Sequence, residues 1–162
     1  IGMMALRQAL DRGVLDGWES NGIGTVGAGR VIDLGGGASI AMLPRAAQAE
    51  YGALLAGHDV GLSLMFTPHP SLVPLEMAAA GLVTVTNTFE NKTAARLRDV
   101  AGNLIAAEAA PSAIAEALAT ATARAGDARQ RIDGSAVRWS RSWEQSLPDD
   151  LMRRVVALLE LD

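Results

Sequence analysis

Apolar residues recur along this chain in two rhythms, one near 3.6 and one near 2, and the two alternate. The opening stretch IGMMALRQALDRG sets Met3, Leu6 and Leu10 at helical spacing and ends at Gly13, a stop signal. Short glycine-punctuated runs at 24–28, 30–36 and 39–44 then read as strands, with a tight turn at Gly35 to Gly37. Helical spacing returns over 45–58, where Ala49, Leu54 and the Tyr51 to Leu55 pair predict one buried face. The apolar run DVGLSLMF (59–66) reads as a buried strand. A short helix over 71–81, ended by Gly81, leads into a second strand, LVTVTNT (82–88). Helix 93–100, strand 103–108 and helix 111–125 continue the alternation, with Pro111 suited to a first turn. After a polar stretch at 126–136, Trp139 and Trp143 stand one helical turn apart and read as core or interface anchors. The last segment, 148–162, has carboxylates in its first turn and an apolar stripe through Leu151, Val155, Leu158 and Leu159.

Strand and helix alternating without a linker or repeat predict one α/β domain over residues 1–162, a Rossmann-like parallel sheet with helices on both faces. Within it, 59–64 and 82–87 are expected as adjacent central strands, joined by one crossover helix. A doubly wound domain normally opens on a strand, whereas this sequence opens on a helix. The expectation is therefore a fragment that lacks its first strand and whatever domain preceded it.

Composition narrows the function. A formal net charge of −4 gives no electrostatic footprint for a phosphate backbone, so nucleic acid is not an expected partner. With no cysteine there is neither a disulfide framework nor a thiolate metal site, and Asp, Glu and His form no cluster at ligand spacing, so no metal is expected. No apolar stretch approaches the roughly 20 residues that span a bilayer. The reading is a soluble, cytoplasmic domain.

The informative stretch is TPHPSLVPLEMAAAG (67–81). Strand 59–66 delivers Thr67 to Ser71 to the carboxyl edge of a parallel sheet, the edge at which such folds bind ligands. Pro68 and Pro70 fix their own φ and bias their neighbours toward extended shapes, so the turn is shaped before any ligand arrives. Ser71 can cap the helix that follows, whose free N–H groups suit a phosphate. Glu76, one turn in, is a poor neighbour for phosphate and a good acceptor for sugar hydroxyls. Phosphate and ribose side by side describe a nucleotide. The residues also admit plainer readings: His69 as a turn cap and Glu76 as half of a surface ion pair with an arginine.

The string PHPSLVPLEMAAAGLVTVTN resembles the donor-binding segment of GT-B glycosyltransferases, and DVGLSLM, TPHPS, PLEMAA, VTNTF and NK in this order resemble bacterial rhamnosyltransferases of the WsaF type. The resemblance covers about residues 16–108. It implies the C-terminal half of a two-domain enzyme, which holds a nucleotide-sugar while a separate N-terminal domain holds the glycan acceptor. By position it assigns Glu76 to the nucleotide ribose, the loop at 69–72 (His69, Pro70, Ser71 and Leu72) with the start of the helix to the diphosphate region, and Leu43, within 42–45, to the loop that receives the base, while Thr67 opens the rim expected to aim that helix start at the diphosphate. Where many retaining GT-B enzymes carry a second glutamate, eight positions before Glu76, this chain has Pro68. That departure favours the WsaF-like subgroup, with dTDP-L-rhamnose as substrate, no cofactor, and peripheral association of the full-length enzyme with the inner face of the membrane. Catalytic residues are not assigned, and this fragment alone is expected to be inactive. The competing reading is a non-catalytic nucleotide-binding or interaction domain that kept the fold and lost the chemistry.

Overall fold

A computed structural model describes residues 1–25 and 29–159. Eight helices and six strands are found among them: α1 (Gly2–Asp11), β1 (Ser20–Thr25), β2 (Arg30–Gly35), β3 (Ala38–Pro44), α2 (Gln48–Ala56), β4 (Val60–Leu62), α3 (Val73–Ala79), β5 (Val83–Asn87), α4 (Ala94–Val100), β6 (Leu104–Ala107), α5 (Pro111–Ala125), α6 (Ala128–Gly134), α7 (Trp143–Ser146) and α8 (Asp149–Leu159).

The strands form two three-stranded sheets, ordered β1-β3-β2 and β4-β5-β6. The second is wholly parallel, with Val60 opposite Val83 and Thr84 opposite Leu104. Residues 59–64 and 82–87 are thus adjacent and parallel as expected, but β5 holds the centre while β4 lies at an edge. The first sheet is mixed: β1 runs parallel to β3, and β2 returns antiparallel through the glycine turn. Gly35, Gly36 and Gly37 all have φ between 64° and 82°, a region closed to most side chains, so this turn needs three residues without a Cβ. The strand read at 24–28 begins earlier, at Ser20, and its residues 26–28 lie outside the described set.

Alternation along β6 shows that the parallel sheet is covered on both faces. Ile105 and Ala107 pack with Ala5, Ala9, Val83, Val85, Ile114 and Leu118, under α1 and α5. Leu104 and Ala106 pack with Leu75, Ala78, Leu97 and Ala101, under α3 and α4. Together with the crossover helices between parallel strands, this is the Rossmann-like α/β arrangement. In α5, Ile114, Leu118, Ala121 and Ala125 line one buried face at spacings of four, three and four. Pro111 occupies the first turn, where its missing N–H costs nothing.

Several faces read from spacing differ from those observed. In α1 the fully buried residues are Ala5 and Ala9, small enough to let α1 lie close on α5, whereas Met3 is exposed. In α2 only Leu55 is buried, and Ala49 faces solvent. The polar stretch 126–136 contains a helix, α6, begun by Asp127, whose carboxylate accepts from the Gln130 N–H. Its Arg131 pairs with Asp59 at 2.5 Å and donates to the Gly81 carbonyl at 2.8 Å, which fixes the amino ends of β4 and β5. Trp139 lies outside any helix and Trp143 begins α7, so the two tryptophans do not share a helical face. The α8 stripe is unburied: Val155, Leu158 and Leu159 are all exposed. No helix among the described residues is long and apolar enough to cross a membrane.

Candidate functional site

The site is built where β4 runs out. Beyond Leu62 the chain stays extended, and the Ser63 N–H still donates to the Val85 carbonyl at 3.0 Å. One step further a side chain replaces the ladder. Asn87, the last residue of β5 and fully buried, accepts from the Met65 N–H at 2.8 Å and donates to the Met65 carbonyl at 3.1 Å. Its second amide hydrogen reaches the Thr88 carbonyl at 3.0 Å. An amide can do this because it presents a donor and an acceptor at the spacing of a peptide group. Lys92, 3% exposed, adds a third grip, its ammonium donating to the same Met65 carbonyl at 2.5 Å. Burial pushes the Lys92 pKa below its usual value.

The loop that emerges from this clasp is tied within itself. The Thr67 hydroxyl donates to the His69 carbonyl at 3.0 Å, and the Ser71 N–H donates to His69 Nδ1 at 3.0 Å. His69 is therefore a turn cap. With Nδ1 accepting, the neutral ring carries its proton on Nε2. Ser71 has φ 70°, uncommon for a residue with a side chain and a mark of backbone held by its surroundings.

The helix start differs from the expectation. Leu72, not Ser71, occupies the N-cap position of α3 and makes no side-chain cap bond; the Ser71 hydroxyl accepts only a long contact, 3.4 Å, from the Val73 N–H. Pro74 removes one N–H from the first turn, and α3 has seven residues, so its terminal field is weaker than a longer helix would give.

Thr67, His69 and Leu72 are exposed, Pro70 and Ser71 are half-buried, and all five form the rim that precedes α3. Glu76 stands in the first turn of α3, exposed, and no described arginine or lysine lies within ion-pair distance of its carboxylate. The surface ion pair considered from the sequence is not formed among the described residues. Its negative charge instead reaches Tyr51 of α2, whose phenol pKa is raised first by burial and then by Glu76. Leu43 belongs to the other sheet, where it pairs with Ile23 of β1. No group of three or more His, Asp or Glu suited to a metal occurs among the described residues.

Two contributors were not legible in the sequence. The Asn87 and Lys92 clasp joins residues 22 and 27 positions away from Met65. Trp139 packs edge-on against the His69 ring, centroid to centroid 5.8 Å, from a segment read only as an anchor of unknown target.

A parallel sheet covered on both faces, with a pre-shaped loop and a carboxylate-bearing helix at its carboxyl edge, defines a Rossmann-like α/β domain. Residues 1–119 match the family described as WsaF, C-terminal domain, and the chain belongs to that family. It is also 42% identical over 108 residues, 65% of its length, to a Myxococcus xanthus protein named O-antigen biosynthesis protein RfbC. The chain spans about 8% of the length of that relative.

Proposed function

We propose that this domain holds the nucleotide-sugar donor of a glycosyltransferase that builds surface polysaccharide, with dTDP-L-rhamnose as the donor. The observation that carries this reading is Glu76: an exposed carboxylate without a cationic partner among the described residues, one helical turn beyond a rigid loop at the ligand-binding edge of the sheet. An unpaired acceptor in that position suits a sugar hydroxyl. The rim from Thr67 to Leu72, clasped from behind by Asn87 and Lys92, would face the diphosphate with its backbone. In the reaction the bond between the anomeric carbon and the diphosphate oxygen breaks, the oxygen of an acceptor hydroxyl forms the new glycosidic bond and releases its proton, and the diphosphate leaves with the electron pair and the negative charge. Preorganised dipoles aimed at that charge are the main help this wall can supply. The acceptor would be positioned by a separate domain, for which the exposed apolar stripe of α8 is one available contact surface. The O-antigen name of the Myxococcus relative supports the polysaccharide setting.

The test is calorimetric titration of the 162-residue chain with dTDP, UDP and GDP and with their sugars. The reading expects dTDP and dTDP-L-rhamnose to bind, and more tightly than the other nucleotides. Absence of binding by all of them would overturn it.

A further inference from the structure

Lys92 is the only lysine in the sequence, and it is buried. An ammonium carries three N–H donors. One is used here: Nζ donates to the Met65 carbonyl at 2.5 Å and makes no other hydrogen bond among the described residues. None of the ion pairs among those residues includes Lys92. Glu90, two positions earlier in the turn that pairs Phe89 with Lys92, is exposed and forms no ion pair with it.

Holding the loop does not require that charge. The Met65 carbonyl already accepts from the Asn87 amide at 3.1 Å, and the Met65 N–H donates to Asn87 Oδ1 at 2.8 Å. A neutral side chain thus supplies the grip, whereas a buried ammonium without an anionic partner costs stability until an opposite charge comes near. The rim at 67–72 is where such a charge would come. Thr67, which opens it, lies two residues beyond Met65, a span of at most about 7 Å. A buried charge is screened much less than an exposed one, so its field carries over that distance. The rim also lacks a cation of its own, because residues 46–91 include neither lysine nor arginine. Glu76 in the first turn of α3 adds only negative charge to the same edge.

We propose that Lys92 is a positioning residue with a second role: while holding the loop through Met65, it lends the rim at 67–72 the positive charge that selects a diphosphate there. The inference rests on the reading of that rim as the diphosphate side of the donor site. The ammonium stays behind the loop and does not touch the ligand; its field is felt through the loop. The same field favours the diphosphate as it leaves with the electron pair.

A single lysine gives a single reporter. Lysine labelled at Cε and Nζ yields one nuclear magnetic resonance signal set, whose pH titration reads Lys92 in the free chain and with dTDP, inorganic pyrophosphate or thymidine at matched ionic strength. Either anion should raise the measured pKa by about 0.5 or more, the rise that corresponds to threefold tighter binding to the charged lysine. Thymidine, which carries no phosphate, should leave it in place. Lys92→Met should weaken dTDP binding at least about threefold and leave thymidine binding unchanged. The proposal is overturned if Lys92 titrates identically with and without the anions, or if Lys92→Met loses the same affinity for dTDP and thymidine, as a purely structural role requires. Calorimetric binding of dTDP with an unmoved Lys92 removes this inference alone and leaves the donor-site reading standing. A raised Lys92 pKa with pyrophosphate, without preference for dTDP over other nucleotides, supports the inference and removes the choice of donor.

Discussion

The ring of Trp139 meets the ring of His69 edge to face, with centroids 5.8 Å apart and planes at 86°. The contact ties the segment after α6 to the loop at the carboxyl edge of the parallel sheet. His69 is already engaged through Nδ1 with the Ser71 N–H, so Trp139 holds the residue that holds the turn.

Trp139→Ala should loosen that turn. An aromatic pair of this geometry is worth about 0.5–1.5 kcal/mol beyond its buried area. If the rim must keep its shape to receive a diphosphate, dTDP affinity should fall by roughly two- to tenfold, as those energies convert. Titration calorimetry measures the affinity and thermal unfolding the stability. Wild-type affinity in Trp139→Ala would show that the latch has no part in nucleotide binding.

Glu76→Ala separates the ligand role from a structural one. The carboxylate is exposed and has no ion-pair partner among the described residues, so stability should stay within about 0.5 kcal/mol of wild type in urea denaturation. A lost charge-assisted hydrogen bond to the 3′-hydroxyl of the nucleotide's deoxyribose is worth about 1.5–3 kcal/mol, a loss of roughly ten- to a hundredfold in nucleotide affinity. A nucleotide lacking the contacted hydroxyl should bind the wild type almost as weakly as it binds the variant. Equal dTDP affinity in variant and wild type removes Glu76 from the site.

Asn87→Ala should act in the opposite way, on the scaffold first. It strips Met65 of its N–H partner and of one carbonyl partner in a region where Asn87 is fully buried. Each buried group left without a partner costs about 1–3 kcal/mol. An equilibrium urea curve should show a loss of about 2–4 kcal/mol, with the Lys92 bond to the Met65 carbonyl setting the lower end. A loss below 0.5 kcal/mol would mean that the clasp contributes nothing to the fold.

The alkaline limb of stability has two opposing contributors. Lys92 has its folded pKa lowered by burial, so between that value and the unfolded one the unfolded chain binds more protons, and stability rises with pH across the window below 10.5. Tyr51 has its folded pKa raised, by burial and then by Glu76, so its contribution is complete below 10.0 and is lost as pH climbs through the higher folded value. Chemical denaturation across this range should give a rise followed by a fall. Lys92→Met should remove the rise and Tyr51→Phe the fall; curves unchanged by either substitution would refute the assignment.

The sequence by itself determined the local elements wherever one rhythm ran unbroken between clear stops. Helix 111–125 is observed at the bounds read from it, because Pro111 can only start a helix and its apolar residues repeat on one face. The Gly35 to Gly37 turn was fixed equally early, since only glycine enters that backbone region freely. The loop at 67–71 was also legible, two prolines leaving it few shapes. What only the tertiary structure decided were the relations between elements: Ala5 and Ala9 inside rather than Met3, two sheets rather than one, Asn87 and Lys92 closing on Met65, and Trp139 on His69. Spacing states which residues of an element share a face. It carries no information about which distant surface meets that face, because apolar packing is non-directional and a buried amide or aromatic ring can satisfy many partners equally well. Those choices are made by the packing of the whole chain, in which Ala5 and Ala9 of α1 are fully buried in one cluster with Ile114 and Leu118 of α5.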